Sequence, residues 1–315
     1  MLKYIVKRIL ITIPVLLMVT IFCFGIVNLA PGNPTDLYLS ENATAQQVAQ
    51  MKENLGLNQS VPVQYIKWLG NLLQGNLGIS FSSRVPVLSI LPSKIWATVQ
   101  LMLATLIVSY LIAIPLGILS AKKQNTLVDN GITGISFLGI SIPNFFFGLG
   151  LIYIFALELK WLPTGGMSTL GGADGFGDRL SHLVMPVLVL SAFYCSNMIR
   201  YVRASMIGIF EENYMRTATA KGLKPSLILT RHGLKNALVP MITVISSDIP
   251  KMLGGAIVTE QIFQWPGIGQ LTISAINSRD YPVLMAINLL AAIAVLAFNL
   301  IADVLYAVAD PRIRY

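Results

Sequence analysis

The chain has 315 residues, of which 55% are hydrophobic and only 11% charged, and its mean hydropathy is +0.70, a composition that argues against a water-soluble globule. The formal net charge of +8 calls for no nucleic acid partner, because cations gathered on the cytoplasmic side of a membrane account for it. With two His and two Cys in all, there is neither a Cys/His cluster nor a disulfide framework.

The first apolar run, 9–30, follows Lys3, Lys7 and Arg8. It is too long for a signal-peptide core and has no small-x-small cleavage site before Pro31, so it reads as an uncleaved first span. A helix needs roughly twenty residues to cross ~30 Å of hydrocarbon. By that measure 95–121, 130–157 and 281–302 are spans, 183–199 is a shorter one, and 236–259 is one interrupted by Asp248 and Lys251. Six helices are expected. The short loops on one side carry Lys122, Lys123, Arg200, Arg203, Arg216, Lys221, Lys224, Arg231, Lys235, Arg312 and Arg314, which places both termini in the cytoplasm. Cys23 and Cys195 fall inside spans and read as small packing residues.

A large extracytoplasmic loop, 31–94, begins with Asn33-Pro34 and contains a predicted helix over 44–57, with Thr44 as its N-cap. Residues 70–83, rich in Gly, Asn and Ser, read as irregular. The second outer loop, 163–178, is glycine-dense. Its Gly175-Phe176-Gly177-Asp178 matches the Gly-x-Gly-Asp of intramembrane aspartyl proteases, but a flexible turn is the better reading without a second aspartate in a neighbouring span. No nucleotide-binding Gly-x-x-x-x-Gly-Lys-Ser/Thr and no His-Glu-x-x-His occurs, so ATP-driven work must come from a partner.

The inner loop, 205–236, is the most informative segment. A single helix is predicted over 205–221, with Ile207, Phe210, Tyr214 and Ala218 on one face and Glu212 paired to Arg216 four residues on. Gly222 suits its end and Pro225 the first turn of the next helix. Thr217, Ala218, Thr219 and Ala220 are small, and Glu211 and Glu212 acidic; that mixture favours close packing against a protein over burial in headgroups.

In the next span, Asp248 and Lys251 stand three residues apart with Pro250 between them. Ionisable groups inside membranes usually face a bundle interior or a wet cavity, so both a transport-pathway role and a salt bridge in a kinked helix fit. Gly254 and Gly255 read as a close-packing site. The third outer segment, 261–282, holds Trp265-Pro266-Gly267-Ile268-Gly269 and reads as chain that dips back towards the membrane.

The run Tyr214-Met215-Arg216-Thr217-Ala218-Thr219-Ala220-Lys221-Gly222-Leu223, with Arg231-His232-Gly233-Leu234-Lys235-Asn236-Ala237-Leu238-Val239-Pro240, resembles the cytoplasmic loop of bacterial ABC-importer permeases. More narrowly, it resembles the dipeptide/oligopeptide/nickel branch. Ile13-Pro14-Val15, Pro31-Gly32-Asn33-Pro34, Ser141-Ile142-Pro143-Asn144-Phe145, Leu253-Gly254-Gly255-Ala256 with Glu260, Trp265-Pro266-Gly267, Arg279-Asp280-Tyr281-Pro282 and Asp310-Pro311-Arg312-Ile313-Arg314 extend the resemblance end to end.

The resemblance implies an all-α polytopic membrane protein with the type I importer permease fold, one membrane domain over 1–315, in the bacterial cytoplasmic (inner) membrane. It implies a homologous second permease, two cytoplasmic ATPases that carry the ATP and Mg, and an extracytoplasmic solute-binding protein, with no cofactor held by this chain. It makes the inner loop a coupling helix, with Glu211, Tyr214, Arg216, Ala218 and Gly222 as candidates for contact or shape. The family's Glu-Ala-Ala-x-x-x-Gly pattern falls on Arg216-Thr217-Ala218 and Gly222, so its glutamate is absent here. Asp248, Lys251 and Gly255 are candidates for the translocation pathway, and Trp265, Pro266 and Gly267 for an external gate. Short peptides are the expected cargo, with nickel or a metal–chelator complex as the alternative in the family and an ATPase-independent secondary transporter as the rival from another class.

Overall fold

A computed structural model of the chain describes residues 2–29, 44–54, 56–169, 171 and 175–309. The landmarks at 31–34 and 310–314 lie outside the described residues. The described chain is helical: α1 Leu2–Leu29, α2 Ala45–Asn54, α3 Val61–Leu73, α4 Val87–Lys122, α5 Leu127–Ser141, α6 Asn144–Leu151, α7 Phe176–Glu211, α8 Asn213–Ala220, α9 Pro225–Leu227, α10 Lys235–Ile262, α11 Ile268–Asn277 and α12 Tyr281–Ala309. Two π-helical stretches, Ile152–Glu158 and Ile228–Leu234, continue α6 and join α9 to α10.

Among the described residues, four helices are individually long and apolar enough to cross a membrane, and the count reaches six when each of two bent pairs forms one span. The span expected over 130–157 is one such pair, turned through 97° between Ser141 and Asn144. The cause is local: Ile142 precedes Pro143 and is extended (φ −79°, ψ 121°), as the proline ring demands of the residue before it. The other pair lies within α10, where Met241–Met252 and Ala256–Ile262 diverge by 49° beyond Pro250.

The chain divides into two compact units, Met1–Thr98 with Pro266–Ala297, and Val99–Trp265 with Phe298–Tyr315. In the first, Val87 and Leu91 of α4 pack with Ala275 of α11 and with Val283, Leu284, Ala286 and Ile287 of α12. Helix α3 sits against α1 through a Thr20 Oγ1–Tyr65 Oη hydrogen bond of 2.9 Å and an edge-on contact of Phe24 with Tyr65. Thr44 and Gln47 exchange bonds at the start of α2, the reciprocal capping expected of a Thr at that position. The buried Asp280 carboxylate gathers the turn after Ile79, accepting from Ser80 Oγ and from the Phe81 and Ser82 amides at 3.0 and 3.2 Å.

The second unit is organised around α7. Of its apolar window 61% is buried, against 6% for α1, so α7 is an interior helix while α1 offers its apolar surface to lipid or a partner. Met198, Val202 and Met206 of α7 pack with Ala113 of α4 and with Ala237 and Met241 of α10. Further along, Met185 and Val189 meet Leu151 and Phe263.

Glycine allows the closest approaches. A Cβ on Gly117 would lie 2.6 Å from Val202 Cβ, and one on Gly139 would lie 2.3 Å from Ser196 Oγ. Gly254, expected to serve close packing, has open space where its Cβ would be, so that role falls to Gly117 and Gly139 within this chain.

Candidate functional site

The inner loop differs from the single helix expected over 205–221. Helix α7 ends at Glu211, Glu212 is extended (φ −66°, ψ 143°), and α8 starts afresh at Asn213. The break rotates the register, so Ile207, Phe210, Tyr214 and Ala218 do not form one continuous face. On α8 the buried side chains are Met215 and Ala218, which pack with Ile228, Leu223, Ile209 and Phe210. The sequence offers little to announce this break, since neither Gly nor Pro marks it.

The end of α8 is as the sequence predicts. Gly222 takes a left-handed φ of +71°; its amide donates to Thr219 O at 2.9 Å and the Leu223 amide reaches back to Ala218 O at 3.4 Å. That pair of bonds is a Schellman ending, with Leu223 supplying the accompanying apolar contact. Lys224 is extended, and Pro225 then opens α9, whose first turn accepts at Lys224 O from the Leu227 and Ile228 amides. The result is an elbow in which α8 turns through Gly222 into the short α9.

The candidates there separate into two groups. Glu211, Glu212, Tyr214, Arg216 and Gly222 are exposed, whereas Ala218 is turned inward and contributes shape. Tyr214 and Arg216 flank the buried Met215 on opposite sides of α8, and Glu211 and Gly222 are exposed at the two ends of that segment.

Asp248 is buried in α10, and Tyr110 Oη of α4 donates to its Oδ2 at 3.3 Å. Lys251 Nζ lies 3.8 Å from Asp248 Oδ1, yet its side chain is 65% exposed. The pair is therefore an ion pair that reaches from the helix bundle outward, and its acid end is held by a second helix. Around it Met102, Tyr194 and Met252 form an apolar cluster. Gly255 falls one turn further along the same helix.

Of the gate candidates, Trp265 belongs to the second unit, and Pro266 and Gly267 to the first. Trp265, in the second unit, is fully buried, and its amide donates to Glu260 O at 2.8 Å. Gln264 before it has φ +49°, a left-handed turn that swings the chain out of α10. In the first unit, Gly267 is buried and caps α11, while the Ile268 amide donates to Thr98 Oγ1 at 2.8 Å. The second outer loop is tied to α10's end, because the Gly166 amide donates to Phe263 O at 2.7 Å and a Cβ on Gly165 would meet that oxygen at 2.4 Å.

Asp178 of the Gly-x-Gly-Asp sequence is a local brace. It accepts from the Thr169 amide and hydroxyl at 2.8 and 2.6 Å and lies 3.7 Å from His182, whose Nδ1 donates to Gly165 O. Among the described residues no group of three or more His, Cys, Asp or Glu side chains is placed to hold a metal ion.

Residues 113–315 match the family described as binding-protein-dependent transport system inner membrane component, and residues 1–102 match its N-terminal companion. The chain is 44% identical to the oligopeptide transport system permease protein AppB of Bacillus subtilis strain 168, with all of both chains covered. It is 40% identical to a probable peptide ABC transporter permease protein, y4tP, of Sinorhizobium fredii, over 99% of each. It is 38% identical to the glutathione transport system permease protein GsiC of Salmonella paratyphi A over the whole of both. A solved structure of the MetNI methionine ABC transporter shares the fold, with a TM-score of 0.57, 16% identity and coverage of 71% of this chain and 97% of that one.

Proposed function

The chain belongs to the binding-protein-dependent transport system inner membrane components, and on that premise we infer that the cargo of its transport system is short peptides. It is a multi-pass permease subunit of an ATP-binding-cassette importer in the inner membrane. Full-length identity to permeases named for oligopeptides, peptides and glutathione is the observation that carries the peptide reading. No observation favours nickel or a metal–chelator complex.

In this reading the chain forms half of the pathway with a homologous second permease. Two cytoplasmic ATPases bind the ATP and Mg, a solute-binding protein delivers the peptide outside, and this chain holds no cofactor and hydrolyses nothing itself. The elbow of α8 and α9 seats in an ATPase cleft, with Glu211, Tyr214 and Arg216 as contacts and with Ala218 and Gly222 setting its shape. Support comes from its construction: a glycine-terminated helix anchored by Met215 and Ala218 moves as a body when pushed, and so passes ATPase closure to α7 and α10. Asp248, Lys251 and Gly255 contribute to the pathway, and Trp265, Pro266 and Gly267 to an outer gate, within an alternating-access cycle.

The test is purification in gentle detergent of the tagged chain from its host, followed by reconstitution with whatever co-purifies. The probe is a mass-tagged pool of short peptides, with uptake read by mass spectrometry. Recovery of a second permease, ATPases and a binding protein, with ATP-dependent uptake, is the expected result. Recovery of the chain alone, moving peptides without ATP, would overturn the reading and favour a secondary transporter.

A further inference from the structure

We infer that Asp129 and Arg203 form a pin through which movement of the inner loop is passed from α7 to α4 and α5. This rests on the reading of the inner loop as the ATPase-coupling element. The Asp129 carboxylate, 3% exposed, sits in the first turn of α5. Arg203 of α7 donates to both of its oxygens, Nε to Oδ1 and Nη2 to Oδ2, each at 2.7 Å. Ser120 Oγ, near the end of α4, donates to Oδ1, and the Asn125 amide in the connecting loop donates to Oδ2 at 2.9 Å. One carboxylate thus joins three helices and the loop between two of them.

The geometry fixes orientation as well as distance. A bidentate guanidinium holds the carboxylate plane in its own, which a lysine's point charge does not do. One residue before Arg203, Val202 Cβ stands where Gly117 has no room for a Cβ, so α4 and α7 are in backbone contact beside the pin. Packed at that closeness, the helices shift together or repack in a discrete step. From Arg203, α7 runs unbroken to Glu211, about 12 Å at the rise of an α-helix, and there the chain turns directly into α8. Because Met215 and Ala218 of α8 pack on Ile209 and Phe210 of α7, a displacement of α8 reaches the pin through that contact and the last two turns of α7. Arg203 and Asp129 act as positioning residues, since neither touches cargo or nucleotide in this scheme.

The experiment uses the assembled importer in proteoliposomes, with the same peptide pool, and measures uptake per ATP hydrolysed for wild type, D129N, R203K, S120A and the exchange D129R/R203D. ATP hydrolysis should persist in D129N while uptake per ATP falls by about tenfold, the scale of a coupling free energy between sites. R203K should fall between D129N and wild type, and the exchanged pair should recover part of the loss. Uptake per ATP equal to wild type in D129N and R203K overturns the pin, as does a proportional fall of uptake and hydrolysis. Should D129N fail to assemble, R203K and S120A decide: unchanged uptake per ATP in both overturns it. A wild-type complex without ATP-dependent uptake instead overturns the functional reading on which the pin rests, so the two failures are distinct.

Discussion

At the scale of single residues, the buried carboxylates of Asp129, Asp248 and Asp280 each accept hydrogen bonds from another segment of the chain. Arg203→Ala removes a bidentate charge-assisted pair from Asp129, which keeps only Ser120 and the Asn125 amide; with Arg203 27% exposed, water takes part of its place and the loss is about 1.5–3 kcal/mol. The expected outcome is a marked drop in the thermal midpoint of the purified complex, larger than for S120A. Lys251 is different, because its side chain lies largely exposed and its partner Asp248 keeps the Tyr110 hydroxyl when Lys251 is neutralised. Lys251→Gln should therefore change the spectrum of peptides taken up while leaving complex yield near wild type; an equal loss of yield would make the pair purely structural. Gly222→Ala meets no steric obstacle, yet forces a left-handed φ of +71° on a residue with a Cβ, at a cost of about 1–2 kcal/mol. Weaker retention of ATPase subunits in a salt wash of the membranes is the check.

Among the elements, helix α7 and its glycine contacts decide the packing. Gly117→Ala should disrupt assembly, and V202A should not rescue it, because the clash is with Val202 Cβ itself and with Ile199 O at 2.9 Å. Gly254→Ala, with open space around its Cβ within this chain, is the matched control. Yield of monodisperse protein after size-exclusion chromatography separates the two. The bend of α5–α6 was not legible: the apolar run 130–157 reads as one span through Pro143, and the 97° change of direction is a property of the folded helices.

For the whole molecule, the chain's work depends on others. Reconstituted without ATPases it should give no ATP-dependent uptake, and within the full complex an excess of unlabelled short peptides should compete with the labelled pool while nickel ions do not. Competition by nickel at matched concentration would move the cargo to the metal side of the family. The exposed apolar surface of α1, which includes Leu10, Met18, Phe22 and Leu29, suits contact with lipid.

Hydropathy alone determined that the chain crosses a membrane repeatedly, because no water-soluble core accommodates runs of that length without charge. Local chemistry determined the ends of elements: Thr44 with Gln47 at the start of α2, Gly222 at the end of α8 and Pro225 at the start of α9, since each of these acts within a few residues of itself. The loop's register was not legible, as the break at Glu212 is coupled to the packing of Met215 and Ala218 on Ile228, a contact made across the elbow. Asp129 and Arg203 were visible only as two ordinary charges, one before a span and one after another. Their pairing, like the contact of Gly117 with Val202, joins residues more than seventy positions apart, and only the tertiary fold, which lays α7 against α4 and α5, brings them within bonding distance.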